Sequence, residues 1–232
     1  MLLSAYWDEF QTRGAGAGAG LDHEAAGGAD VVLRLRTYKP WWEPGSPDLN
    51  SWLQELAAKR GKRRGQLPPV ELIQHELSRE ELRWLYAVSD AFVLPSRGEG
   101  WGLPVVEAMA MELPVVVTNA TAMTTYLTAE NSYPLPYTKE LPDGKVEPSS
   151  RRLRQLMRQL FREHTNANAA AGGNGGRRRG KRATKKGRVA REDIIRRFGP
   201  DRVAMAIVRR LRQVRPSMNH GRGFAGGCNT RD

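Results

Sequence analysis

Apolar positions along the chain switch repeatedly between two spacings. Leu2, Leu3, Tyr6, Trp7 and Phe10 recur at helical spacing. Val31 to Thr37 is β-branched and alternating, as in a strand. Asp48 is placed to cap a helix carrying Trp52, Leu53 and Leu56, and Val70 to Gln74 reads as a short strand. Ser78 and Glu81 form a Ser-x-x-Glu capping box for a helix with Leu82, Leu85 and Tyr86 on one face. Ala91 to Leu94 and Pro114 to Thr118 are strands of the fully buried type, with a helix from about Leu103 to Met111 between them. Leu153, Leu156, Met157, Leu160 and Phe161 mark an amphipathic helix. Two more helices, Asp193 to Phe198 and Arg202 to Val214, are split by Gly199-Pro200. Strands alternating with helices predict an α/β fold, a Rossmann-like parallel sheet with helices on both faces.

Low-complexity stretches interrupt this pattern. Gly14 to Gly20 is an alternating Gly-Ala run, followed by the small-residue patch Ala25 to Ala29. Thr165 to Gly187 runs from Asn, Ala and Gly into a basic block. Neither buries enough apolar surface to offset an ordering entropy of about 1–2 kcal/mol per residue. The expected organisation is one partial domain over 1–214, with insertions at 14–29 and 165–187 and a loose tail over 215–232.

Charge changes the picture less than its size suggests. The 232 residues carry a formal net charge of +12, which raises the question of a nucleic-acid partner. Nine basic residues lie between Arg177 and Arg191 and five between Lys59 and Arg64. Without those runs, 23 basic residues face 25 acidic ones, so the rest of the chain is slightly acidic. The runs lack interleaved aromatics for base stacking and read as solvated loops, so no specific nucleic-acid partner is expected. The single cysteine, Cys228, excludes an internal disulfide framework and a Cys-based zinc site. No apolar run approaches the ~20 residues of a membrane helix. The start lacks the basic-then-apolar order of a secretory signal, which points to a cytoplasmic chain.

The chemistry is concentrated in the segment from Ser96 to Ala110, SRGEGWGLPVVEAMA, which leaves a strand and opens a helix. Ligands of parallel α/β sheets bind at the carboxyl ends of the strands. Gly98, Gly100 and Gly102 let the backbone come close to a ligand, and Pro104 suits a first helical turn. The amides near Gly102 and Leu103 then point outward at the positive helix end, an anion site suited to phosphate. Glu99 sits in the loop at the cleft, and Glu107 one turn into the helix, where a carboxylate accepts hydrogen bonds from a diol such as ribose. Gly-x-Gly-x-Gly alone is a weak signal and is not the dinucleotide fingerprint. Its combination with the Phe-Val-Leu-Pro-Ser strand end, the proline and the helix opening is much more specific.

Glu99-Gly-Trp-Gly-Leu-Pro-Val-Val-Glu107 resembles the Glu-x7-Glu motif of retaining nucleotide-sugar glycosyltransferases of the GT-B fold, family 4 or group 1. The flanks Glu80 to Ser96, Leu113 to Thr118, Glu130 to Leu135 and Glu147 to Ser149 also resemble that family. The resemblance implies two Rossmann-like domains facing a cleft, this chain being the C-terminal, donor-binding one. It implies a catalytic role for Glu99 at the donor sugar and donor binding by Gly98, Gly100, Trp101, Gly102, Leu103 and Glu107, with Glu107 holding the ribose. The implied partners are a nucleotide-sugar and an unknown sugar acceptor, with no metal and no cofactor.

The resemblance also has departures. Met1 falls inside what corresponds to the family's first donor-domain helix, so a truncated, incomplete domain without the acceptor domain is expected. The family's diphosphate-neutralising Arg and Lys have no counterpart; Arg34, Arg36 and Lys39 are basic and near in sequence. Asn119 to Thr124 lacks the Gly that members often place there. Trp41 and Trp42 read as loop packing, His75 as structural or exposed, and Asp90 as a turn or cap residue. Two functions remain open: a sugar-transferring donor domain, or a non-catalytic module or inactive fragment whose basic loop contacts anionic partners.

Overall fold

The computed structural model describes residues 1–11, 31–37, 48–169 and 184–218. Its strands are β1 (Leu33–Arg36), β2 (Val70–Ile73), β3 (Phe92–Leu94), β4 (Val115–Thr118), β5 (Tyr133–Leu135), β6 (Tyr137–Glu140) and β7 (Val146–Pro148). Its helices are α1 (Leu2–Phe10), α2 (Leu49–Ala58), α3 (Arg79–Ala87), α4 (Leu103–Ala110), α5 (Ser150–Ala169), α6 (Lys185–Phe198) and α7 (Pro200–Met218). A 3-10 turn spans Thr121–Thr125 between β4 and β5.

Every pairing among β1 to β5 is parallel. The ladders form two groups, β1–β2 and β3–β4–β5, while β6 and β7 make an antiparallel hairpin. The expected single sheet is thus hydrogen-bonded in two parts among the described residues. What joins the parts is packing. Leu33 and Leu35 of β1, Leu72 of β2 and Val93 of β3 all lie against the cluster formed by Leu3, Trp7, Leu53, Val116, Leu135 and Leu153. Tyr6 also donates from α1 to the carbonyls of Val31 and Pro69, at 2.8 and 2.9 Å, tying the starts of β1 and β2 together.

The pleat sorts side chains onto two faces. Val116 faces the cluster covered by α1, α2 and α5, whereas Val115 and Val117 face the one covered by α3, α4 and α6. Both faces of β4 are therefore buried, which is why its sequence is a continuous valine run. The local signals act as expected. Asp48 accepts from the amides of Asn50 and Ser51, and the Ser78–Glu81 capping box closes in both directions. The Ser78 amide and hydroxyl hold the Glu81 carboxyl below its usual range.

Three expectations shift. α5 runs on to Ala169 and α6 opens at Lys185, so both ends of the 165–187 stretch are helical; residues 170–183 lie outside the described residues. The basic run is accordingly not all loop. Arg191 donates to the carbonyl of Ala110, and Lys186 to that of Ala129. Thr184 caps α6 by accepting from Gly187 at 3.0 Å, and a Cβ on Gly187 would overlap the Glu112 carbonyl. Glycine is what lets α6 lie this close to the end of α4. Finally, α7 extends to Met218, into the expected tail, and residues 200–214 are all exposed, including Val203, Ile207 and Leu211. The 14–29 stretch, Lys39, Trp41 and Trp42 lie outside the described residues.

Candidate functional site

The loop from Ser96 to Gly102 leaves the carboxyl end of β3 and enters α4, with Gly102 as the N-cap at φ 78°. A Cβ there would sit 2.8 Å from the Tyr126 hydroxyl, so both the backbone angle and the space require glycine. The first bonds of α4 run from the amides of Val105 and Val106 to the Gly102 carbonyl. Pro104 has no N–H, and the Gly102 and Leu103 amides stand at the positive end of the helix. Leu103 is 64% exposed there.

The loop is pinned at alternate residues. The Val146 amide of β7 donates to the Arg97 carbonyl at 2.8 Å, and Arg97 pairs with Glu147 at 2.8 Å. The Glu99 amide donates to Thr121 Oγ1 at 3.1 Å. The Tyr126 hydroxyl donates to the Trp101 carbonyl at 2.7 Å. Between these pins, Gly98 and Gly100 are exposed, and nothing lies within 4 Å of a Cβ built on Gly100. That open side leaves the backbone accessible.

Glu99 lies in this loop and Glu107 within α4. Glu107 is exposed and accepts from the Tyr86 hydroxyl of α3 at 2.9 Å. Burial, then the Glu107 bond and charge, push the Tyr86 phenol far up, while the charge of Arg36 at the end of β1 works the other way. Arg34 pairs with Glu71 at 2.8 Å. Burial, and secondarily the Glu99 charge, push Tyr126 up to about 12. The Trp101 ring turns toward protein, 5.5 Å from Tyr126 and 5.1 Å edge-on from Phe198. His75 is exposed, and Asp90 faces His164 at 3.7 Å.

The sequence pattern does not assign Tyr86, Thr121 or Tyr126 to the site. Tyr86 shares a helix face with Leu82 and Leu85, although a buried phenol must place its hydroxyl on a partner. Thr121 falls in the segment where a Gly was expected and missing. Nothing local marks Tyr126. A groove of about 730 Å³ at the other end of α4, lined by Glu112, Arg188, Arg191 and Ile195 among others, includes no residue of the loop.

The fold is of the GT-B, Rossmann-like α/β type. Sucrose-phosphate synthase from Thermosynechococcus elongatus superposes with a TM-score of 0.52 at 19% identity, over 80% of this chain and 38% of that one. A family model described as glycosyl transferases group 1 matches residues 45–140, a segment that includes the whole loop. It is 50% identical over 44 residues to O-antigen chain mannosyltransferase B of Escherichia coli, covering 19% of this chain and 12% of that protein. It is 49% identical over 45 residues to O-antigen chain mannosyltransferase RfbU of Salmonella typhimurium, covering 19% and 13%. The chain thus aligns with only a small part of these curated relatives. Among the described residues no helix is long and apolar enough to cross a membrane.

Proposed function

We propose that this chain is the donor-binding part of a retaining glycosyltransferase, taking a sugar from a nucleotide-sugar to a sugar acceptor. The observation that carries the reading is the Glu99–Glu107 loop itself. It lies at the carboxyl end of β3, opens α4 through Gly102, and sits inside the segment that matches the family.

In this reading each part has a task. Gly98 and Gly100 admit the donor to the backbone. The Gly102 and Leu103 amides, with the α4 dipole behind them, stabilise the diphosphate as it leaves, so no metal or cofactor is called for. Glu107, oriented by Tyr86, accepts from the ribose hydroxyls. Glu99 meets the donor sugar near the reacting carbon, where its charge favours the positive character that develops as the bond to phosphate breaks. Trp101 contributes through its backbone, its ring being engaged with Tyr126 and Phe198. The acceptor is held by a partner domain.

Calorimetry with a panel that includes GDP-mannose, UDP-glucose and the bare nucleotides tests this. Saturable binding of a nucleotide-sugar is expected. No heat from any member of the panel would sink the reading.

A further inference from the structure

Thr121 has a backbone that its residue type disfavours. Its φ is 55°, in the left-handed region, where a β-branched side chain is a genuine outlier. Such conformations persist where surrounding structure holds them, and they cluster at functional sites. The hydroxyl here is fully committed. Thr121 Oγ1 donates to the Ala120 carbonyl at 2.8 Å, which leaves a lone pair for the Glu99 amide at 3.1 Å. The Thr121 methyl also backs the loop, with Cγ2 3.6 Å from a Cβ built on Gly98.

The segment is anchored on both sides. Asn119 donates to the Leu135 carbonyl of β5 at 2.8 Å, and Ala120 to the Thr118 carbonyl at 2.9 Å. Thr124 Oγ1 donates to the Thr121 carbonyl at 2.9 Å. The strand that sets Thr121 in place is therefore β4, the most deeply buried of the sheet, while the group it holds is the loop residue with the catalytic carboxylate. Glycine would adopt this φ without strain but has no hydroxyl.

We infer that Thr121 is a positioning residue: its strained backbone is kept because it places Oγ1 on the Glu99 amide and so fixes the Glu99 carboxylate toward the donor sugar. This rests on the transferase reading above. It implies that Thr121 acts on recognition of the sugar and not of the nucleotide.

The test compares Thr121→Gly, Thr121→Val and Thr121→Ser in the full chain, with GDP-mannose or UDP-glucose (whichever binds) against the bare nucleoside diphosphate. Thr121→Gly is expected to keep or raise the melting temperature while affinity for the nucleotide-sugar falls about 3- to 10-fold, as for one lost hydrogen bond. Affinity for the bare diphosphate should not change. Thr121→Ser is expected to restore sugar affinity and Thr121→Val to resemble Gly. A glycine variant that binds the nucleotide-sugar as tightly as the parent would overturn the inference, because the residue then serves the turn alone. Amide hydrogen exchange at Glu99 reads the contact without any ligand. Protection should drop about tenfold in Gly and Val and return in Ser, and unchanged protection would refute the contact. If no nucleotide-sugar binds the parent chain, the transferase reading fails, and with it the role assigned to Thr121, whatever the exchange arm says of the contact.

Discussion

The Tyr86 hydroxyl, on α3, donates to Glu107 Oε2, on α4, at 2.9 Å. The two residues are 21 apart in sequence, and β3 and the glycine loop lie between them. The carboxylate assigned to the ribose is thus oriented by a phenol from the next helix over.

Removing that phenol tests the assignment. Tyr86→Phe keeps the ring in its cluster but frees Glu107. Stability should fall by about 1 kcal/mol, the net value of one hydrogen bond. Affinity for a nucleoside diphosphate should fall several-fold. Calorimetry and urea denaturation on the same preparation read both, and unchanged nucleotide affinity would mean that Tyr86 serves packing only.

Gly102 is the least replaceable residue of the loop. Alanine there combines a φ of 78° with a Cβ 2.8 Å from the Tyr126 hydroxyl. Gly102→Ala is expected to cost about 2–3 kcal/mol and to abolish donor binding. A denaturation midpoint equal to that of the parent would contradict the strain argument.

On the proposed reading, Glu99 separates chemistry from binding. Glu99→Ala should abolish release of nucleoside diphosphate from the donor and leave affinity for the bare diphosphate largely intact. Residual turnover at the parent rate would remove Glu99 from the mechanism.

Four buried tyrosines make the fold sensitive to alkali. Burial raises Tyr6 and Tyr126 to about 12, and raises Tyr86 and Tyr133 still further. The folded state holds these phenols neutral where the unfolded chain ionises near its ordinary value of about 10. Their contribution is fully present below pH ~10 and is lost as pH climbs toward the folded values. The melting temperature should therefore fall steeply between about pH 10 and 12. Tyr126→Phe, which no longer ionises, should flatten part of that slope; a parallel curve would refute the assignment to Tyr126.

Asn131 ties the site to α6. It is fully buried, donates to the Tyr126 carbonyl at 2.9 Å and to Asp193 at 3.0 Å, and accepts from the Thr128 amide at 2.8 Å. Asn131→Ala removes all three hydrogen bonds, leaving Asp193 with Arg196 only, and is expected to cost about 2–4 kcal/mol. Because Tyr126 in turn holds the Trp101 carbonyl, donor affinity should fall as well. Loss of stability with full donor affinity would show that the network stops short of the loop.

The sequence by itself determined what local rules control. The Asp48 cap, the Ser78–Glu81 box, the Val115–Val117 run, the glycine-spaced loop and the proline that opens α4 each act within a few residues. Their pattern therefore set the order of elements, the α/β class and the place of Glu99 and Glu107. The same rules misjudged the ends of the polar tracts. Lys185 to Arg191 carry little apolar signal, and their helix is held by contacts with Glu112, Ala110 and Ala129, far away in the chain.

Only the tertiary structure decided which side chains serve the loop. Tyr86 reaches Glu107, Tyr126 reaches the Trp101 carbonyl, and Thr121 reaches the Glu99 amide across 21, 25 and 22 residues respectively. Such pairs leave no periodic trace, because the partners lie on different elements that only the packing around the sheet brings together. The division of the sheet into two ladders joined by α1 and the core was likewise invisible in the pattern. Hydrophobic spacing says that a strand is buried, but not which neighbour shares its hydrogen bonds.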